Sequence, residues 1–372
     1  MLTEPVVTSA SEWPRVTWLM PVLNGMPYLR ELLDSLVAQT YPNHEIIVWE
    51  NGSTDGSVEL LQAYIPSRIA GRVVIGQPLT LGICRARLME TAQTEFCAAI
   101  DADDVHHPTR LARQVAYMRD HPSLVALGCM PQIIDGSGNP LPDWEYPTED
   151  AEIRWRTRWQ SGLNAPSTLV RRDAVLRAGN YRNFDKGEDL DLWIRMAQVG
   201  PMHNLSDHLV QYRRHLSNTT AQIDDYYLSE RRIAEANAAT IFPGLDASAA
   251  MDLWQAAYAH RERHAVRFHH FAQLRAAAHD AATAIGKPRD YFTSTEYFRR
   301  QRRTMIKNFV YPYTPSIVWN VLDKVRDRRN AGVNSQQSFV DESSAKSQGQ
   351  VSGTSMTGNS QGKTEVSLDL PE

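Results

Sequence analysis

The sequence predicts an α/β fold in which a parallel sheet is covered on both faces, followed by a helical region and an unstructured tail. Over the first 135 residues, short β-rich runs that are apolar on both sides alternate with amphipathic helical stretches. A strand with two apolar faces belongs in a sheet with helices packed above and below it. Beyond residue 332 the chain is mostly Ser, Gly, Gln and Thr. Such a composition cannot bury enough apolar surface to offset the entropy of ordering.

The first strand is predicted over residues 16–20 and is ended by Pro21 and Asn24-Gly25. Residues 28–39 then place Leu29, Leu32, Leu33, Leu36 and Val37 on one helical face. Strands follow over 45–49, 72–75, 96–100 and 124–134. Helices are expected over 57–64, 83–93 and 109–120, the last with Pro108 at its start. After residue 143 the pattern loosens. A helix is expected from about 148, another over 190–199 behind the polar cluster at 185–189, and a strand or hairpin edge over 203–215. Residues 226–285 are Ala-rich and read as a helical pair.

Composition narrows the function. With 372 residues the chain holds a large α/β domain and an appendage, or two ordinary domains. A formal net charge of -4 argues against nucleic acid as a main partner. Three cysteines, Cys84, Cys97 and Cys129, suggest a reducing compartment with no disulfide framework. The N-terminus lacks a basic-then-apolar leader, and no apolar run reaches the roughly 18 residues of a membrane span. A cytoplasmic protein is expected, with peripheral contact at the cytoplasmic membrane face left open.

Ligands of such sheets bind beyond the carboxyl ends of the strands. Three polar clusters fall there: Asn24-Gly25, residues 50–55, and Asp101-Ala102-Asp103-Asp104. Adjacent carboxylates at a strand end repel one another, and a hard divalent cation such as Mg²⁺ or Mn²⁺ removes that cost while keeping positions for phosphate oxygens. A solvated turn before a helix would use the same residue types. The clustering at one sheet edge favours the metal and diphosphate reading. The loop from Glu50 to Gly56 is neither a P-loop nor a G-x-G-x-x-G turn.

The ordered blocks Pro21-Val22-Leu23-Asn24-Gly25, Gln39-Thr40-Tyr41-Pro42, Asn51-Gly52-Ser53-Thr54-Asp55-Gly56, Gly82-Ile83-Cys84-Arg85-Ala86-Arg87, Asp101-Ala102-Asp103-Asp104 and Gly187-Glu188-Asp189 resemble those of family 2 glycosyltransferases. The resemblance spans about residues 16–220. It implies a GT-A fold, a Rossmann-like mixed sheet, over 15–222, with a nucleotide-binding half over 15–135 and an acceptor-binding half over 136–222. An N-terminal extension (1–14), a helical basic region (223–331) and a disordered tail (332–372) complete the expected organisation.

The resemblance also implies roles. Asp101 and Asp103 match the D-x-D motif that meets the metal and the donor diphosphate, and His215 matches a histidine that approaches them. Pro21, Val22, Asn24, Glu50, Asn51 and Arg87 fall at donor-nucleotide positions, although Glu50 and Asn51 stand where Asp is usual and Leu88 stands where Asn often follows the arginine. Asp189 matches the catalytic base, with Glu188 beside it, and Asp104 is left to cap the next helix. The implied reaction is an inverting, metal-assisted transfer from a nucleotide sugar, a UDP-sugar first among donors, to a glycan or lipid-linked acceptor in polysaccharide or cell-envelope synthesis. A sugar-phosphate nucleotidyltransferase and a non-catalytic nucleotide-sugar-binding scaffold on the same fold are the alternatives. The first would want a basic Gly-rich loop, which Asn24-Gly25-Met26-Pro27 is not.

Trp193 and Arg195 read as packing and ion-pair residues, and His260 and His264 as a solvated helix face. Residues 296–329 carry nine Lys or Arg against three acids. They either pack aromatics on the catalytic domain or lie on anionic lipid headgroups.

Overall fold

The computed structural model describes residues 13–215, 218, 223–258 and 266–310. The expected extension up to residue 12, the tail, the basic segment beyond 310 and the His260/His264 pair lie outside these residues.

The sheet has eight strands: β1 (Val16–Val22), β2 (His44–Glu50), β3 (Gly71–Ile75), β4 (Phe96–Ala99), β5 (Val105–His106), β6 (Ala126–Asp135), β7 (Leu169–Arg171) and β8 (Met202–Arg214). Between and around them run α1 (Leu29–Val37), α2 (Ser57–Tyr64), α3 (Leu81–Thr91), α4 (Arg110–Asp120), α5 (Asp150–Arg156), α6 (Arg172–Arg177) and α7 (Glu188–Met196). The C-terminal helices are α8 (Ile223–Ala236), α9 (Ala238–Ile241), α10 (Ala247–Ala257), α11 (Phe268–Ala284) and α12 (Glu296–Val310).

The strand order is β3-β2-β1-β4-β7-β6-β8-β5. β1 to β4 are mutually parallel, whereas β7 runs antiparallel to β4 and β6, and β5 antiparallel to β8. The sheet is therefore mixed, as the resemblance implied and the apolar pattern alone did not. Burial on both faces fixes the layer a strand occupies but not its direction. β7 escaped the sequence reading because three residues after Pro166 and Ser167 carry too short an alternation to register.

Alternation along the central strands builds two cores. Trp18, Met20, Ile46 and Val48 face α1, α2 and α4, while Leu19 and Ile47 face the side of α3, α6 and α7. Leu29, Leu32, Leu33 and Leu36 of α1 are fully buried, but Val37, expected on that stripe, is 38% exposed at the helix end. A third core, with Trp155, Trp159, Trp254, Phe292 and Phe298, ties α5 and α7 to the C-terminal helices. Those helices thus share a core with the sheet domain.

The chain leaves β1 towards β2 and β3 on one side, then returns to β4 on the other. This reversal makes the gap between β1 and β4 the topological switch point, where the carboxyl ends of open α/β sheets receive ligands. The loops carrying Asn24 and Asp101 flank that gap.

Candidate active site

The first two loops are tied by hydrogen bonds. Asn24 adopts a left-handed backbone (φ 53°) that few side chains other than Asn tolerate. This turns its amide to donate to Ser53 Oγ at 2.9 Å, while its Oδ1 accepts from Thr54 N at 2.9 Å. Gly25 N donates to Ser57 Oγ and Met26 N to Asp55 Oδ2, at 2.9 and 2.8 Å. The polar residues of the second loop thus shape the first, and Asp55 Oδ1 also accepts from Ser57 N at the start of α2.

Glu50 is buried at the end of β2, and its Oε1 accepts from Gly52 N at 3.1 Å and Ser53 N at 2.5 Å. Burial alone would raise its pKa, but the bonds from Ser53 and Gly52 outweigh it and hold the carboxyl below the ordinary glutamate value. Asn51 donates from Nδ2 to Leu79 O and accepts at Oδ1 from Leu79 N, at 2.9 and 2.8 Å. It therefore anchors the segment that leads into α3. Pro21 and Val22 end β1 against Trp49 and Glu50.

The carboxylates after β4 occupy three environments. Asp101 is one-third exposed, and its Oδ1 meets Arg85 Nη2 at 2.6 Å. Asp103 Oδ2 lies 2.9 Å from His215 Nε2 and accepts from Asn218 Nδ2 at 3.0 Å. Burial and the neighbouring Asp101 raise the Asp103 pKa, which His215 partly offsets. Asp104 is fully buried and accepts from Arg213 N at 2.9 Å, with its Oδ2 unpartnered among the described residues. It does not cap α4, contrary to expectation; that helix begins after Thr109. Turned inward, Asp104 instead latches the carboxylate loop to β8.

Arg213 completes the latch. Its Nε donates to Asp103 O at 2.9 Å, its Nη2 pairs with Glu31 at 2.6 Å, and its guanidinium lies 4.6 Å from the Tyr28 ring centre. Tyr28 also packs on His215, with ring centres 5.0 Å apart. The end of β8 is thereby held against α1 and the carboxylates, which is what brings His215 to Asp103.

The later block enters through α7. Gly187, in a left-handed conformation (φ 73°), lets the chain turn into the helix, so Glu188 and Asp189 stand in its first turn. Glu188 is buried and meets Arg85 Nε at 2.9 Å. Arg85 thus spans Asp101 and Glu188 with two branches of one guanidinium, a geometry lysine cannot reproduce. Asp189 accepts from Ser161 Oγ at 3.2 Å. Burial pushes Glu188 up to about 8 despite Arg85, and raises Asp189 above the ordinary aspartate value against the pull of Leu190 N and Arg85. Trp193 is fully buried and Arg195 pairs with Asp191 at 2.6 Å, matching their reading as packing and ion-pair residues.

Of the residues expected in the site, Asp103 and His215 meet directly, and Asp101 is linked to Glu188 through Arg85, whose charge also acts on Asp189. Arg87 is apart from them, with a side chain 58% exposed and paired to Glu90. Arg85, Arg213, Ser161 and Asn218 were not singled out. Helical spacing could have flagged Arg85, which lies three residues after Gly82 and four before Met89 on the buried face of α3. A cavity of about 700 Å³ opens elsewhere, in the helical layer, and is lined by Arg154, Arg158, Phe242 and Phe292. Asp252, His269 and His270 also cluster, but His270 Nδ1 accepts from Arg267 N. That bond requires an unprotonated Nδ1, whereas metal binding through Nε2 would put the proton there.

Residues 17–178 match the family model described as glycosyl transferase family 2. This domain is a family 2 glycosyltransferase. The chain is 28% identical over 188 residues to the amylovoran biosynthesis glycosyltransferase AmsE of Erwinia amylovora, covering 50% of this chain and 70% of that one. It is 27% identical over 219 residues to the O-antigen biosynthesis glycosyltransferase WbnJ of Escherichia coli, covering 57% and 84%. In fold it resembles S. aureus TarS 1-349 solved in complex with UDP-GlcNAc, with TM-score 0.54 and 18% identity over 79% of this chain and 89% of the other. The glycosyltransferase is therefore of GT-A type with a helical C-terminal region. Among its described residues, no helix is long and apolar enough to cross a membrane.

Proposed function

We propose that this glycosyltransferase transfers a sugar, with inversion, from a nucleoside-diphosphate donor to a hydroxyl of a glycan or lipid-linked acceptor in polysaccharide or cell-envelope synthesis. The observation that carries the reading is the two-part carboxylate arrangement, Asp101 and Asp103 at the sheet edge and Glu188 and Asp189 on α7, joined by Arg85. The complex of TarS with UDP-GlcNAc supports a UDP-sugar as the first donor to test. The names of AmsE and WbnJ support an envelope or extracellular polysaccharide acceptor.

The donor set suits a hard divalent cation. Asp103 and His215 meet, and the charge of nearby Asp101 raises the Asp103 pKa, a repulsion that a cation would relieve. Asp101, Asp103 and His215 would hold Mn²⁺ or Mg²⁺, which when bound offsets charge on the departing diphosphate. Asn24, Glu50 and Asn51 shape the nucleoside side of the cleft, together with Pro21 and Val22. Asp189, held by Ser161, takes the proton from the acceptor hydroxyl as it attacks the anomeric carbon. Attack from the face opposite the leaving diphosphate inverts that centre. Glu188 balances Arg85 and orients the first turn of α7.

Calorimetric titration with UDP and Mn²⁺, paired with nucleoside-diphosphate release assays, tests the assignment. Asp103→Ala should lose metal-dependent nucleotide binding. Asp189→Asn should keep it while transfer falls by about 10²–10⁴-fold. Full activity in Asp189→Asn would remove Asp189 as the base.

A further inference from the structure

We propose that the outer face of α12, with the start of α11, forms a docking surface for an anionic lipid bilayer. The inference is independent of the donor and acceptor readings above. Helix α12, EYFRRQRRTMIKNFV, carries five basic residues and one acid, a formal charge of +4 in a chain whose net charge is -4. Its inward stripe is settled, because Phe298, Gln301 and Met305 are buried in the helical core. The aromatics of this helix therefore pack, and its arginines do not: Arg299, Arg300, Arg302 and Arg303 are all exposed. Glu296 pairs with Arg299 and Arg303, so it offsets only part of the positive charge.

Charge alone would fit any anion. The apolar side chains beside it narrow the choice. Phe268, at the first position of α11, is 79% exposed, and Ile306 on α12 is 43% exposed. Phe268 packs on Phe309 with ring centres 4.7 Å apart, which joins the two helices at this end. An exposed phenylalanine and an isoleucine bordered by arginines gain little from water or from a phosphate in solution. They gain from the boundary of a bilayer, where apolar tips enter the acyl region and guanidiniums meet headgroup phosphates. Packing takes one face of this helix, and the proposed bilayer contact uses the opposite one.

Flotation of the full-length protein with phosphatidylcholine vesicles, with and without roughly a third phosphatidylglycerol, tests the proposal. The expected result is flotation with the anionic vesicles only. Arg300→Glu/Arg302→Glu should lower the bound fraction by about tenfold or more, and Phe268→Ser should lower it as well. Both variants change exposed side chains, and unchanged thermal melts confirm that they fold. Failure of the parent protein to float, or flotation of either variant at the parent level, would overturn the proposal. Binding equal on neutral and anionic vesicles would overturn it too.

Discussion

At the scale of single residues, the site depends on one guanidinium. Arg85 is the cation joining Asp101 to Glu188, and its charge also lowers the proton affinity of Asp189. Under the proposed mechanism Asp189 acts only when deprotonated, so activity rises with pH through its raised pKa. Replacing Arg85 by Gln removes the charge that favours the carboxylate, and the acid limb of the pH–rate profile should move to higher pH. Lysine keeps the charge but loses the two-branched contact, so Arg85→Lys should restore part of the shift. An acid limb unmoved in Arg85→Gln would show that Arg85 does not act on the base. Arg85→Gln also removes a buried contact to Glu188, so it should lower the stability of the fold as well.

At the scale of elements, the two halves of the site meet where α3 packs on the segment leading into α7. Gly82 N donates to Phe184 O at 3.0 Å, and a Cβ on Gly82 would overlap the carbonyl oxygen of Arg182. Neither obstacle is a side chain that could swing aside; both belong to the backbone that positions Glu188 and Asp189. Gly82→Ala should therefore destabilise the protein by about 1–3 kcal/mol. It should also lower transfer more than nucleotide binding, because it displaces the α7 side of the site. Denaturant melts and paired binding and transfer assays check both effects. Equal losses in binding and transfer would place the damage on the donor side instead.

At the scale of the whole molecule, the C-terminal helices are part of the same structure as the sheet. Asn237, between α8 and α9, donates to Asp191 of α7 at 2.9 Å, and Ile233 of α8 lies against Gly187. Close to this junction Glu230 is buried, hydrogen-bonded to the Tyr258 hydroxyl, and raised to about 8 chiefly by burial. A carboxyl raised from its ordinary 4.5 favours the folded state while protonated. Its contribution is complete below pH 4.5 and is lost as pH rises through about 8. Glu230→Gln should flatten that dependence and exceed the parent in stability at pH 9 by ~2 kcal/mol. Thermal melts at pH 6 and 9 measure it; parallel curves for the two proteins would exclude the linkage.

The sequence by itself determined the layered α/β class, the strand-end placement of the Asn24, Glu50 and Asp101 loops, and the block containing Glu188 and Asp189. Each is written in local terms: apolar alternation, turn residues and ordered short motifs. Tertiary structure decided what local patterns do not encode. It reversed β7 within the sheet, because strand direction follows from chain return rather than from side-chain alternation. It turned Asp104 inward to β8 and paired Arg85 with Asp101, while Arg87 stays exposed beside Glu90. Those outcomes depend on which residues distant in sequence meet. Arg85 reaches Glu188, more than a hundred residues later, only because α3 and α7 share one face of the sheet.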